Sequence, residues 1–259
     1  MGDKLVLILP FIFGAVVGSF LNVCIYRIPI GLSIVSPPSK CPSCGRHIPF
    51  YYNIPIISYI MLMGRCGLCK APISPKYLLV EFISGLFTIS LFLKFGLSFE
   101  LLAYFAFISS LIVVTFIDLK YQIIPDVISL PGIVVGFAAS FFIPSVYFLN
   151  SLIGILAGGG VLFGIASAYL LLTGKEGMGG GDIKLLGMIG AFLGWKGVIV
   201  TLLLGSFSGA IIGSFIMLLY GKGSRHPIPF GPFLAFGAAM HLFFGEALIR
   251  WYIVTAVGA

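Results

Sequence analysis

The sequence predicts an all-α protein that crosses a membrane several times. Hydrophobic residues make up 59% of the 259 residues and charged residues only 9%, a composition far outside that of soluble domains. Apolar stretches recur along the chain, and a spanning helix needs about 20 such residues. One substantial polar segment separates the first two stretches, and it contains four of the five cysteines. The chain is therefore predicted to be a helical membrane protein with one small loop domain.

Eight apolar stretches are predicted to be transmembrane helices, with seven as the alternative count. They cover residues 5–26, 77–94, 98–117, 127–147, 149–173, 183–195, 197–220 and 230–254. The first is long enough to span, so we interpret it as an uncleaved helix rather than a signal peptide. The stretch at 183–195 is rich in glycine and short for a bilayer about 30 Å thick. We expect it to be tilted, buried among its neighbours or re-entrant.

The basic residues predict which loops face the cytoplasm. Six of the 15 lysines and arginines lie in the segment 27–76, which the positive-inside rule places in the cytoplasm. With eight spans, the loops 118–126, 174–182 and 221–229 lie on the same side. Four basic residues then face outward, which leaves eleven of the 15 inside and supports this orientation. Because orientation accounts for most of the basic residues, the net charge of +7 gives no indication of nucleic-acid binding.

The four loop cysteines form two C-x-x-C pairs about 20 residues apart, which is the spacing of a tetrathiolate zinc ribbon. They are Cys41, Cys44, Cys66 and Cys69. A loop this small cannot bury much of a core, so a metal would supply its folding energy. Two disulfides and an iron–sulfur cluster are the alternatives, and the reducing cytoplasm disfavours the disulfides. The predicted zinc is structural, because four thiolates leave no open position for a substrate.

Two aspartates lie where apolar stretches meet the predicted cytoplasmic side. Asp118 follows the apolar run 111–117, and Asp182 ends the glycine-rich run GMGGGD at 177–182. The chain has only eight acidic residues, and a carboxylate near hydrocarbon is costly unless it is used. Taken singly, each could be a helix cap or a polar helix end. Taken as a pair that can share one proton, they predict the catalytic dyad of an aspartic protease.

Several residues near the aspartates are candidates for supporting roles. Gly179 and Gly181 would let the backbone approach an extended substrate or a neighbouring helix closely. Lys184 flanks the second aspartate and could tune its charge. Asp126 is interpreted as a helix cap rather than as a third catalytic acid. Glu81, inside the second stretch, is either functional or close enough to the cytoplasmic end to extend its carboxylate towards water.

The chain resembles the bacterial type IV prepilin peptidases over nearly its whole length. The resemblance rests on the order and combination of these parts, because a single G-x-G-D motif would be weak in a chain with 34 glycines. The matching segments are GSFLNVCIYRIP at 18–29, the four-cysteine loop with NIPIIS at 53–58, GRC at 64–66, residues 118–126, GGGDIKLL at 179–186 and PFGP at 229–232.

This resemblance implies a bifunctional leader peptidase and N-methyltransferase of type IV pilus and type II secretion systems. As an intramembrane aspartic protease of the G-x-G-D group, it would use Asp118 and Asp182 to cut prepilins and pseudopilins after a glycine, at the cytoplasmic face of the inner membrane. It would then methylate the new amino terminus with S-adenosylmethionine, bound by the zinc-ribbon loop and adjacent helix ends. The residue before Asn53 is Tyr52, where family members often carry an acid.

The predicted division of the chain follows from these assignments. Residues 1–26 form the first transmembrane helix, 27–76 a cytoplasmic domain associated with methyl transfer, and 77–259 a membrane peptidase domain of about seven helices. A peptidase that lacks methyltransferase activity is the nearest alternative, because it would share both aspartates. A transporter also places aspartates in the membrane, but the cysteine loop and the lack of an evident internal repeat disfavour it.

Overall fold

The computed structural model describes residues 2–144, 146–174, 179–220 and 228–257, and they form a helical protein. The described residues contain no β-sheet, and their extended pairing is limited to two isolated bridges in the cysteine loop. The all-α prediction is therefore confirmed. The helices are α1 (Gly2–Arg27), α2 (Ile57–Met61), α3 (Lys76–Phe95), α4 (Phe99–Tyr121), α5 (Asp126–Ala139), α6 (Phe148–Thr173), α7 (Gly180–Tyr220) and α8 (Gly231–Tyr252).

Each of the eight predicted stretches contains helical residues, although they do not form eight separate long helices. Six described helices, α1, α3, α4, α6, α7 and α8, are long and apolar enough to cross a membrane. A further apolar helix, α5, has only 14 residues. It ends at Ala139, before Pro144, which cannot continue a helix. The 41-residue α7 is interrupted at Gly194, whose φ of 68° and ψ of −178° are not helical. This break falls at the predicted boundary between the stretches 183–195 and 197–220.

The chain divides into two compact units, residues 1–113 and 114–259. In the first unit, α1 packs on α3 through small and polar residues spaced four apart, namely Gly14, Gly18 and Asn22. A Cβ atom added to Gly18 would lie 2.8 Å from Cα of Glu81, so glycine is what allows the two backbones to approach. Asn22 Nδ2 donates to the carbonyl oxygen of Tyr77 over 3.0 Å. These contacts join the segments of the chain on either side of the cysteine loop.

In the second unit, the first half of α7 forms the centre and contacts α5, α6 and α8. Its side chains between residues 185 and 193 are buried. Ser151 Oγ on α6 donates to the carbonyl oxygen of Ala191 over 2.7 Å. Gly154 and Gly190 allow the backbones of α6 and α7 to come into direct contact. The short glycine-rich stretch is therefore buried among its neighbours, one of the three arrangements expected from the sequence.

Candidate active site and metal centre

Asp118 lies in the last turn of α4, with only 4% of its surface exposed. Its Oδ2 atom accepts a hydrogen bond of 2.9 Å from the backbone N–H of Gly231, the first residue of α8. A Cβ atom added to Gly231 would lie 2.6 Å from this same oxygen, so any other residue would push the carboxylate away. From the sequence, the 229–232 segment was notable only for its resemblance to the family; the structure shows that Gly231 contacts the aspartate.

Asp182 is the third residue of α7 and is half-buried. Its backbone N–H donates to the carbonyl oxygen of Gly179 over 3.3 Å, so the residue lies inside the first helical turn and is not the residue that precedes the helix. The carboxylates of Asp182 and Asp118 are close enough for their negative charges to repel each other. The structure therefore brings together the two aspartates that the sequence predicts as a pair.

The turn after α4 packs against the beginnings of α7 and α8, beside the two aspartates. A Cβ atom added to Gly181, at the start of α7, would lie 2.9 Å from Cβ of Ile124. One added to Gly231, at the start of α8, would lie 3.4 Å from Cδ1 of the same isoleucine. Ile124 thus packs against the beginnings of both helices. This packing fixes the end of α4, with Asp118, beside the start of α7, with Asp182.

The residues predicted to support the aspartates have different surroundings. A Cβ atom on Gly179 would meet nothing within 4 Å, whereas Gly181 packs tightly on the turn after α4. Lys184 Nζ pairs with Asp126, at 2.8 Å from Oδ1 and 2.7 Å from Oδ2. Asp126 begins α5, but its carboxylate forms this ion pair rather than the predicted helix cap. The first two residues of the GMGGGD run, 177 and 178, lie outside the described residues.

The four loop cysteines form a cluster of the size that a metal ion requires. Their Sγ atoms all lie within 4.8 Å of one another, and the Sγ atoms of Cys41 and Cys69 are 3.8 Å apart. Four sulfurs arranged tetrahedrally at about 2.3 Å from zinc would be about 3.8 Å apart. None of the five cysteines is in a disulfide. The donor set and its spacing therefore fit zinc.

The two C-x-x-C pairs adopt the same local fold, which we call the two knuckles, residues 40–47 and 65–72. The N–H of Cys41 donates to the carbonyl oxygen of Arg46 over 3.0 Å, and that of Cys66 to Ala71 over 2.8 Å. An isolated antiparallel bridge closes each knuckle, between residues 40 and 47 and between residues 65 and 72. Hydrogen bonds between residues that are close in sequence therefore position both pairs of cysteines.

The pKa values of two thiols in this cluster are shifted in opposite directions. The backbone N–H of Cys44 stabilises the Cys41 thiolate and lowers the pKa of that thiol to about 6. At Cys69, the N–H of Ala71 favours the thiolate, but desolvation and hydrogen bonds with the three other cysteine side chains outweigh it and raise the pKa to about 11. A metal ion bound by the cluster would favour the thiolate form of its ligands.

These features define a multi-pass helical membrane protein with a tetrathiolate loop and a pair of adjoining aspartates. Residues 12–95 match the family model of the bacterial peptidase A24 N-terminal domain, and residues 105–214 match that of the type IV leader peptidase family. The chain belongs to the family of prepilin leader peptidase/N-methyltransferases, as its relatives show.

Curated relatives match almost from end to end. The prepilin leader peptidase/N-methyltransferase of Aeromonas hydrophila is 37% identical over 95% of this chain and 93% of its own length. That of Pseudomonas aeruginosa is 36% identical over 93% of this chain and 91% of its own. That of Burkholderia pseudomallei is 34% identical over 90% and 84%, respectively. No solved structure matches the chain. The resemblance stated from the sequence is confirmed.

Proposed function

We propose that this protein removes the leader peptides of type IV prepilins and pseudopilins and then methylates the exposed amino terminus. Its family membership supports both activities, since the relatives are named for them. The observation that carries the peptidase half is the packing of the end of α4, with Asp118, beside the start of α7, with Asp182. The excess of basic residues in the loops supports a multi-pass orientation in the inner membrane with this site facing the cytoplasm.

The aspartate pair can hydrolyse a peptide bond if one carboxylate is ionised and the other protonated. The ionised group takes a proton from water as the water attacks the carbonyl carbon, and the protonated group polarises the carbonyl oxygen. Oδ2 of Asp118 already accepts the Gly231 N–H, so Oδ1 is the oxygen left for a proton or for water. Asp182 is more exposed than Asp118 and is therefore the carboxylate more accessible to an entering substrate.

The glycine run before Asp182 offers space for a substrate backbone. Cβ atoms added to Gly179 or Gly180 would meet no atom of the described residues within 4 Å, so these residues leave space beside the glycines. An extended peptide can approach such a backbone more closely than it can approach a run of larger residues. This space lies next to the aspartate pair, which supports its use by the segment around the cleaved bond.

We assign the second activity to the first unit of the chain. The cysteine cluster would hold a structural zinc ion, with Cys41, Cys44, Cys66 and Cys69 as the four ligands. S-Adenosylmethionine, when bound, would supply the methyl group. The loop and the adjoining ends of α1 and α3 would form the binding site for this cofactor. In this division, residues 27–76 serve methyl transfer together with the helix ends beside them, and the peptidase aspartates lie within residues 77–259.

Substitution of each aspartate tests the peptidase half. Asp118→Asn and Asp182→Asn keep the side-chain size but remove the acid, and each should lower leader cleavage by a factor of about 100 or more. The matched control is Glu246→Gln, which makes the same chemical change at an exposed position of α8. The measurement is the rate of prepilin cleavage by purified protein. Near-normal cleavage by either asparagine variant would remove that residue from the proposed pair.

A further inference from the structure

Glu81 is a buried carboxylate that the peptidase half does not use. It lies in α3, within the first unit, and only 8% of its surface is exposed. A carboxylate inside a membrane helix is costly unless it is bonded or functional. The sequence allowed the alternative that this side chain extends towards water, but the structure shows it bonded within the protein.

The carboxylate of Glu81 connects α3 with the cysteine loop. Its Oε2 atom accepts a hydrogen bond of 2.7 Å from the backbone N–H of Ile56. The hydroxyl of Ser19 on α1 lies near the same carboxylate. The close approach of α1 at Gly18 brings that helix beside Glu81. A single carboxylate thus lies where α1, α3 and the loop between them come together.

Ile56 has a backbone conformation that its side chain disfavours. Its φ is 63° and its ψ is −54°, and a β-branched residue rarely adopts a positive φ. Such a conformation persists only where the surroundings hold it, and these positions cluster at functional sites. The hydrogen bond to Glu81 is the observed contact that holds the amide of Ile56 in place.

The segment around Ile56, residues 51–58, continues this connection to the metal cluster. Ser58 Oγ accepts the N–H of Ile54 over 3.0 Å and donates to the carbonyl oxygen of Tyr51 over 3.1 Å, which closes the segment into a compact turn. The ring of Tyr52 lies against Gly67, where an added Cβ atom would be only 2.6 Å from Cε2. Gly67 stands between the cysteines of the second knuckle.

We propose that Glu81 is a positioning residue for methyl transfer, which holds segment 51–58 against the second knuckle by accepting the N–H of Ile56. The proposal rests on the assignment of methyl transfer to the first unit. It assigns Glu81 no part in leader cleavage, because both aspartates belong to the second unit. It also identifies what Glu81 must provide, namely an acceptor oxygen rather than an acid or a base.

The test compares two replacements of Glu81 in the purified full-length protein. Glu81→Leu removes the acceptor and should lower kcat for methylation of a pre-cleaved pilin by about tenfold or more. Glu81→Gln keeps an acceptor oxygen and should retain most of the activity. Glu100→Leu is the control, since it removes an acidic group at the start of α4 in the same unit. Cleavage and metal content should stay near wild type in all three variants.

A second-site change tests the mechanism directly. Glycine adopts a positive φ without strain, so Ile56→Gly should restore much of the methylation that Glu81→Leu loses. The proposal is overturned if Glu81→Gln is as inactive as Glu81→Leu, if cleavage falls in parallel with methylation, or if neither replacement matters. A wild-type protein that cleaves but never methylates would instead refute the proposed second activity, and this inference with it.

Discussion

At the scale of single residues, the most constrained position beside the aspartates is a glycine. Gly231 stands 113 residues after Asp118 in the sequence, yet its N–H binds that carboxylate directly. The space that its side chain would occupy is filled by Oδ2. The φ of Gly231 is not in the left-handed region, so backbone conformation does not require a glycine here. Glycine is required because a side chain would have no room.

We predict that Gly231→Ala strongly impairs leader cleavage. The methyl group would meet Oδ2 of Asp118 and force the carboxylate to rotate, and misplacement of a catalytic group by about 1 Å can cost about 100-fold in rate. The measurement is kcat for cleavage of a prepilin, with methylation of a pre-cleaved pilin as the check that the protein is folded.

The control for this prediction is Gly160→Ala on α6, where an added Cβ atom would meet nothing within 4 Å. That variant should cleave at the wild-type rate. If Gly231→Ala also does so, then Asp118 does not need the close contact with α8 for catalysis, and the role given to segment 229–232 is wrong.

The position of the two aspartates at helix ends could be predicted from the sequence, but their surroundings could not. Each aspartate stood out because a carboxylate beside an apolar stretch is unusual, and the chain has two such carboxylates. Neither the Gly231 contact nor the pairing of Lys184 with Asp126 could be predicted, because both depend on residues distant in sequence. The prediction that Asp126 caps a helix failed for the same reason.

At the scale of elements, the cysteine loop was predictable because its structure is local. Each knuckle is closed by hydrogen bonds between residues at most nine apart, so the C-x-x-C spacing is a strong indication of it. The link from this loop to Glu81 was not predictable, because it depends on how the segment 51–58 packs against α3.

We predict about one zinc ion per chain, bound through the four loop cysteines at Zn–S distances of about 2.3 Å. Replacing any one of the four by serine should lower the zinc content and disorder the loop, because the loop has little core of its own. Methylation should fall more than cleavage, since the aspartates lie on separate helices. Metal analysis and the two activity assays of each variant measure these effects.

Cys24→Ser is the matched control for the zinc prediction, because Cys24 is buried in α1 and is not part of the cluster. This variant should keep its metal. Purified protein with an ordered loop but without metal would contradict the assignment, and so would a disulfide between any two of the loop cysteines.

The membrane helices show where hydropathy stops being informative. Apolar length predicted the eight stretches, but not that α5 is short or that two stretches form one helix interrupted at Gly194. These features depend on single residues with special backbone properties and on glycine contacts such as that between Gly154 and Gly190. Hydropathy averages over a window and does not record such contacts.

At the scale of the whole molecule, the two compact units correspond to the two proposed activities. The first, residues 1–113, contains the cysteine cluster and Glu81, and the second, residues 114–259, contains both aspartates. Substitutions in one unit should therefore reduce one activity and spare the other. This separation allows each activity to serve as the folding control for variants of the other.

The central claim is that the aspartate pair cuts a prepilin that the same chain then methylates. The most direct test incubates purified protein with a prepilin and S-adenosylmethionine and takes the masses of the products. We expect wild-type protein to yield a pilin that lacks its leader and carries one methyl group at its new amino terminus. Asp118→Asn and Asp182→Asn should leave the prepilin intact. A mature pilin in either asparagine reaction would contradict the account.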